Sequence, residues 1–288
     1  MRALIWSAVA CGSGGPPQAW RRSLWMTPCG WPVRWFQAPT RPFNSLRRAA
    51  SASRLTGASA PSAAATALVG LRVRVMALPG NHDVGDEPPG QDPDQIIDAD
   101  RLARWDRSFA ADRWVLDAGS WRLVGVNAQL FGSGLAREHA QDQWLDEQLS
   151  TAGRPIALFL HKPLFVESPT DDVASPACMG PSARARLLDK LNRSDVRLIV
   201  SGHLHQHRDR TIGGQRHLWV PAVAFAAAQA HGGDGRCGVT VLDFSQDSVE
   251  VTVERPHGLV SHDLNAIKGH GRYRFLRDMP PSPPPQEG

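Results

Sequence analysis

An α/β fold of two packed β-sheets flanked by helices is predicted by three features of the sequence. From residue 71 onward, short apolar runs alternate with longer segments of helical period. After residue 205 the chain turns to consecutive strand-like runs, which adds a second sheet to the alternating part. Three of the apolar runs also end in donor side chains: Asn81, His82 and Asp83 after a Pro-Gly turn, then His161, then His203 and His205. Strand ends at one sheet edge are where α/β proteins put their chemistry. Nitrogen and oxygen donors gathered there are how a metal centre is assembled.

The elements follow in order. Residues 71–78 alternate Leu71, Val73, Val75 and Ala77 with Arg72, Arg74 and Met76, a strand pattern. Residues 85–90 form a polar loop. Residues 94–111 read as a helix with Ile96, Ile97, Leu102, Trp105 and Phe109 on one face. Residues 114–116 and 121–127 read as paired strands around Asp117-Ala118-Gly119-Ser120. A helix over 137–149 turns Trp144, Leu145 and Leu149 inward and is stopped by Gly153-Arg154-Pro155. Residues 156–160 are an apolar strand ending at His161. A loop rich in Pro, Ser and Asp, a helix over 182–191 and a strand over 196–200 lead to His203 and His205. Strands over 206–212, 215–220, 237–244 and 248–253 complete the fold, with Gly213-Gly214 as a hairpin turn. Residues 256–288 are a C-terminal tail whose last ten residues are Pro-rich and read as disordered.

Residues 1–69 are of another kind. Up to residue 79 the chain holds ten Arg and no Asp, Glu, Lys or His, and five of its ten Trp fall before Phe36. Folded domains mix both signs of charge, so this stretch is expected to be out of frame or disordered. A shifted reading frame that rejoins near residues 60–69 is one account; a basic leader is the other. The formal charge of +4 belongs to this segment, because the remaining 22 basic residues face 28 acidic ones. The rest of the chain is therefore mildly acidic, which argues against a nucleic-acid partner. The four cysteines show no C-x-x-C pairing, which fits a reducing, cytoplasmic compartment. No apolar run approaches the ~18 residues of a membrane span, and the apolar stretch 3–11 is short and poorly flanked for a signal peptide.

Gly80-Asn81-His82-Asp83, the strand-end His161 and Gly202-His203-Leu204-His205 stand in this order with wide spacing. The set resembles the calcineurin-like metallophosphoesterases, whose motifs run D-x-H, G-D-x-x-[DN], G-N-H-[DE], a lone His after a strand, and G-H-x-H. The resemblance covers residues 70–255, and His161-Lys162-Pro163-Leu164 looks most like the cyclic-nucleotide phosphodiesterase branch. It implies two face-to-face sheets with metals at one edge, two divalent ions (Mn, Fe or Zn) and a small phosphoester substrate. It also implies that Asn81, His161 and His203 hold the second metal and that His205 belongs to the first. His82 would stand at the leaving-group oxygen as proton donor or charge stabiliser, with Asp83 orienting it.

The residues bear part of this without the resemblance. His203 and His205 are two apart, so on an extended chain they would point the same way and reach one site. Mixed nitrogen and oxygen donors suit Mn²⁺, Fe or Zn²⁺. A lone strand-end His is more often structural, and Asn81 could simply cap its turn; the three motifs together favour ligands. One departure is large. No residue before His82 can supply the D-x-H or G-D motifs, so the first site keeps only His205 and the bridging carboxylate is missing. Two functions follow: metal-dependent hydrolysis of phosphoesters, and a non-catalytic remnant binding at most one metal or a phosphate.

Overall fold

The computed structural model of the protein describes residues 2–5, 74–88, 95–150, 153–226 and 231–263. Its strands are β1 (Arg2–Ile5), β2 (Trp114–Ala118), β3 (Trp121–Gly125), β4 (Ile156–Leu160), β5 (Val196–Ser201), β6 (Arg208–Ile212), β7 (Gln215–Trp219), β8 (Phe225–Ala226), β9 (Val239–Phe244), β10 (Val249–Glu254) and β11 (His262–Asp263). Its helices are α1 (Asn81–Val84), α2 (Ala99–Phe109), α3 (Ala136–Leu149) and α4 (Pro181–Asn192). A six-stranded sheet runs in the order β2-β3-β4-β5-β7-β6, and a three-stranded sheet in the order β1-β9-β10. In the large sheet, β3, β4, β5 and β7 are mutually parallel, while β2 and β6 flank them antiparallel.

β4 explains the layering. All five of its residues are buried, as expected of a strand covered on both faces. Leu158 and Leu160 join Leu145 and Leu149 of α3 and Leu187 and Leu191 of α4 in one core. The intervening Ala157 and Phe159 join Leu242, Phe244 and Val249 of the small sheet in a second core. Period two along the strand thus places helices on one face and the second sheet on the other. The predicted two-sheet α/β architecture is the observed one. A third core joins Val84, Ile97, Leu102, Trp105 and Leu130, so α2 clamps the turn that carries Asn81 and His82.

The structure departs from the sequence expectation in three places. Residues 74–80 carry no ladder, and Val75 and Met76 are exposed, although the 71–78 pattern alternates. Alternation only suits a residue to a pleated surface; a strand also needs a neighbour, and no described strand pairs here. Leu78 is drawn in against the second core and Ala77 against the third. Second, Arg2–Ile5 pairs antiparallel with β9, where no strand was expected. The rest of 1–69 lies outside the described residues, apart from that strand, and so does the Pro-rich end of the tail. Third, His262–Asp263 in the predicted tail pairs parallel with β8. Elsewhere the predicted elements differ from the observed ones chiefly at their ends, by up to five residues at the start of α2. That helix opens where the Asp98 side chain accepts the Arg101 N–H.

Candidate metal centre at the sheet edge

The site is built where β4 and β5 end, against the turn at α1. Gly80 precedes that turn because nothing larger fits. A Cβ there would lie 2.8–3.0 Å from three atoms of the His161 imidazole. The turn is closed by Asp83, whose Oδ2 accepts the Gly80 N–H at 2.9 Å. Burial lifts the Asp83 carboxyl to about 6, against the opposing pull of that N–H and of Arg104. Asp83 therefore shapes the backbone that carries Asn81 and His82. The Asp86 carboxylate acts on His82, raising it against burial.

Three of the predicted donors converge. His161 Nε2 lies 3.2 Å from Asn81 Oδ1 and 3.3 Å from His203 Nδ1. The two imidazoles meet edge to face, with centroids 5.1 Å apart. His203 Nε2 lies 2.8 Å from the Pro176 carbonyl, which can only accept, so Nε2 carries the proton and Nδ1 presents a lone pair inward. His205 is held likewise: Nδ1 donates to the Phe225 carbonyl at 2.9 Å, leaving Nε2 free. Burial, with the Lys162 charge behind it, lowers His203 to about 3, against the Pro176 contact and Asp86. Burial lowers His205 to about 4, against its Phe225 contact. Burial also lowers His82, against Asp86. It lowers His161 well below its usual value, with neighbouring His203 adding to the effect. All four rings are neutral at neutral pH, the form that ligates.

The expectation that His203 and His205 project together from an extended chain is corrected. Both have left-handed backbones, with φ of 68° and 56°. β5 ends at Ser201, and the chain bends through this segment before β6. Two non-glycine residues in that conformation are strain that the surrounding structure must hold. The bend sends His203 to His161 and Pro176 and His205 to Phe225, so they serve neighbouring positions.

Three residues escaped the sequence reading: Asp86, Gln129 and Lys162. Lys162 is buried and its Nζ lies 2.7 Å from Asp86 Oδ1 and 2.9 and 3.0 Å from the two Glu87 oxygens. Burial alone would lower its ammonium; Glu87 and Asp86 together raise it. Burial lifts Glu87 in turn, over the pull of Lys162. Asp86 also accepts from Asn81 Nδ2 at 3.2 Å and from Gln129 Nε2 at 3.1 Å. A lysine directly after a buried strand was the one signal available, since such a lysine needs a carboxylate.

A cation bound about 2.1 Å from each donor sets those donors about 3.0–3.4 Å apart. The separations of Asn81 Oδ1 and His203 Nδ1 from His161 Nε2, 3.2 and 3.3 Å, fall in that range. Among the described residues no three His, Cys, Asp or Glu side chains are grouped to hold a metal. His205 has no carboxylate beside it from the first 82 residues, because none exists there.

An α/β sheet whose carboxyl edge gathers buried neutral imidazoles and a carboxamide is the framework of a metallohydrolase. The chain belongs to the calcineurin-like phosphoesterase family, whose model matches residues 55–207, more than half of its length. The serine/threonine-protein phosphatase CPPED1 of Homo sapiens is 30% identical over 146 residues, covering 48% of this chain and 44% of that protein. A probable cyclic nucleotide phosphodiesterase of Synechococcus sp. (strain WH7803) is 37% identical over 99 residues, covering 32% of this chain and 36% of that one. The chain thus spans less than half the length of these curated relatives. Among solved structures, a purple acid phosphatase from yellow lupin seeds matches with TM-score 0.49 and 14% identity, over 70% of this chain and 42% of that one. Among the described residues no helix is long and apolar enough to cross a membrane.

Proposed function

We propose that this chain is a metal-dependent hydrolase of small phosphoesters that works with one divalent cation, held by Asn81, His161 and His203. The approach of Asn81 Oδ1 and His203 Nδ1 to within 3.2 and 3.3 Å of His161 Nε2 carries the reading; a cation there would take the place of the Nε2 proton. A divalent ion there would polarise a phosphoryl oxygen and lower the pKa of bound water. The chain's own residues do the rest. Pro176 fixes the His203 tautomer so that Nδ1 faces inward. His82, kept neutral by burial, offers an N–H to the leaving-group oxygen rather than a charge. His205 Nε2 remains as a second contact for phosphate or water. Mn²⁺, Fe²⁺ and Zn²⁺ all suit two imidazoles and a carboxamide. The names of the relatives support the phosphoester class, one a phosphatase and the other a phosphodiesterase. The acidic balance after residue 79 supports a small substrate over nucleic acid. Cys178 and Cys237 are both free, which supports a reducing, cytoplasmic setting.

A second reading, a remnant that binds a cation without turnover, is favoured by the absence of any acid before Asp83. Purified chain loaded with Mn²⁺ separates the two through metal content and hydrolysis of an aryl phosphodiester. One ion per chain with turnover that His203→Ala abolishes is the expected result. One ion or none with no turnover establishes the remnant and overturns the hydrolase.

A further inference from the structure

We infer that Asp86 is the positioning residue that decides which atom of the Asn81 carboxamide faces the cation position. The inference rests on reading Asn81, His161 and His203 as cation donors. A carboxamide is nearly symmetrical in shape, and only its hydrogen-bond partners select one of its two orientations. On one side of Asn81 stands His161, 3.2 Å from Oδ1; on the other stands Asp86 Oδ2, 3.2 Å from Nδ2. Turned over, the amide would set Oδ1 against the carboxylate, acceptor against acceptor. It would also aim an N–H at the cation. A carboxylate has no donor to offer, so Asp86 permits only the orientation that presents Oδ1 to the site.

Asp86 can act this way because it is itself immobile. Its Oδ1 takes Lys162 Nζ at 2.7 Å and Gln129 Nε2 at 3.1 Å. Its N–H bonds the Gln95 carbonyl at 2.6 Å, and its own carbonyl accepts from Ile97 at 2.9 Å. Gln129 shows the same influence on a second amide. Its Nε2 turns to Asp86 although its buried Oε1 is then left without a partner. Lys162 follows directly on His161, so one lysine ties the strand that carries a donor to the carboxylate that orients another.

The test is Co²⁺ titrated into the full chain and followed by visible absorption, in two backgrounds. Asp86→Ala is expected to weaken Co²⁺ binding by about 10–100-fold when residue 81 is Asn. In the Asn81→Asp background the same change is expected to cost less than about twofold, since a carboxylate presents an oxygen in either orientation. Equal losses in both backgrounds would mean a general effect of charge or packing, and would overturn the inference. A second readout uses the native, metal-free chain. Nuclear Overhauser contacts from the Asn81 amide protons are expected to be stronger toward the Gln129 amide than toward the His161 ring, and the reverse order would overturn it. Failure of native chain to bind Co²⁺ would sink the cation reading, while the amide contacts would still judge Asp86.

Discussion

Gly80→Ala tests the close approach on which the site depends. Gly80 has φ −99° and ψ 175°, an extended backbone that alanine adopts freely, so the substitution adds a methyl group and no backbone strain. That methyl would lie 2.8 Å from His161 Cε1, 2.9 Å from Nε2 and 3.0 Å from Nδ1. Relief to ordinary contact requires the ring or the turn to shift by roughly 0.5 Å, and overpacking of this kind costs about 1–3 kcal/mol. Two smaller effects oppose each other. Glycine is the better N-cap, and alanine restricts the unfolded chain, each by less than about 1 kcal/mol. The clash therefore decides the sign, and a loss near 2 kcal/mol is expected on overpacking grounds. The same displacement moves the ring whose Nε2 meets both other donors, so Co²⁺ affinity should fall by about tenfold. Urea denaturation of four chains isolates the cause: native, Gly80→Ala, His161→Ala and the double variant. With the imidazole gone, Gly80→Ala should cost less than about 0.5 kcal/mol, the usual scatter for uncoupled sites. An equal cost in both backgrounds would refute the reasoning, as would a folded Gly80→Ala chain with native Co²⁺ affinity.

Two further outcomes concern stability. His217 in β7 is buried against Phe165, and burial, with the Arg210 charge, lowers its pKa to about 4. Between pH 6.5 and 4 the unfolded chain binds a proton that the native chain refuses, so stability falls as pH falls through that window. His217→Phe should remove about 2 kcal/mol of that loss at pH 4.5, read from urea midpoints at pH 7 and 4.5; an unchanged pH slope would contradict it. Arg137 pairs with Asp106 at 2.7 Å and with the buried Asp112 at 3.0 Å. Arg137→Met should leave buried Asp112 with the Asn127 amide and cost about 3 kcal/mol; a loss under about 0.5 kcal/mol would refute it.

The readable part of this site is the part that local chemistry dictates. Asn81, His161 and His203 announce themselves as a set: each alone could be structural, but three polar donors at the ends of three apolar runs point to one site. β4 is readable too, being an apolar run with a stop on each side. Asp86 and Lys162 are 76 residues apart, and nothing local says that they meet. Each reads alone as an ordinary loop or rim charge. The left-handed turns at His203 and His205 were hidden because Gly202-His203-Leu204-His205 continues an apolar strand, and extension is the natural assumption. The strand pattern over 71–78 misled in the opposite sense. Local alternation is present there, but the neighbour that would turn it into a strand is not among the described elements.

These two errors bear on the number of ions the site can hold. Had residues 71–78 been paired within the sheet, an adjacent strand would stand beside His205 and could bring a carboxylate to it. Residues 74–80 pair with no described strand, and His205 has its Nδ1 on the Phe225 carbonyl. On the opposite side, Asp86 and Glu87 outnumber Lys162 by one charge, and that excess lies behind Asn81. A single divalent ion at Asn81, His161 and His203 would be attracted by this excess and would meet neutral rings, with the His203 Nδ1 lone pair already turned inward. A second ion beside His205 would also meet the repulsion of the first ion. At 4 Å, two divalent charges repel by about 4 kcal/mol even in bulk water, and by more in a protein interior. A carboxylate bridge is what offsets such repulsion in a two-ion site, and this chain has no acid before Asp83 to form one. Among the described residues, the proposed single ion is therefore the one for which donors from β4, β5 and the α1 turn come together.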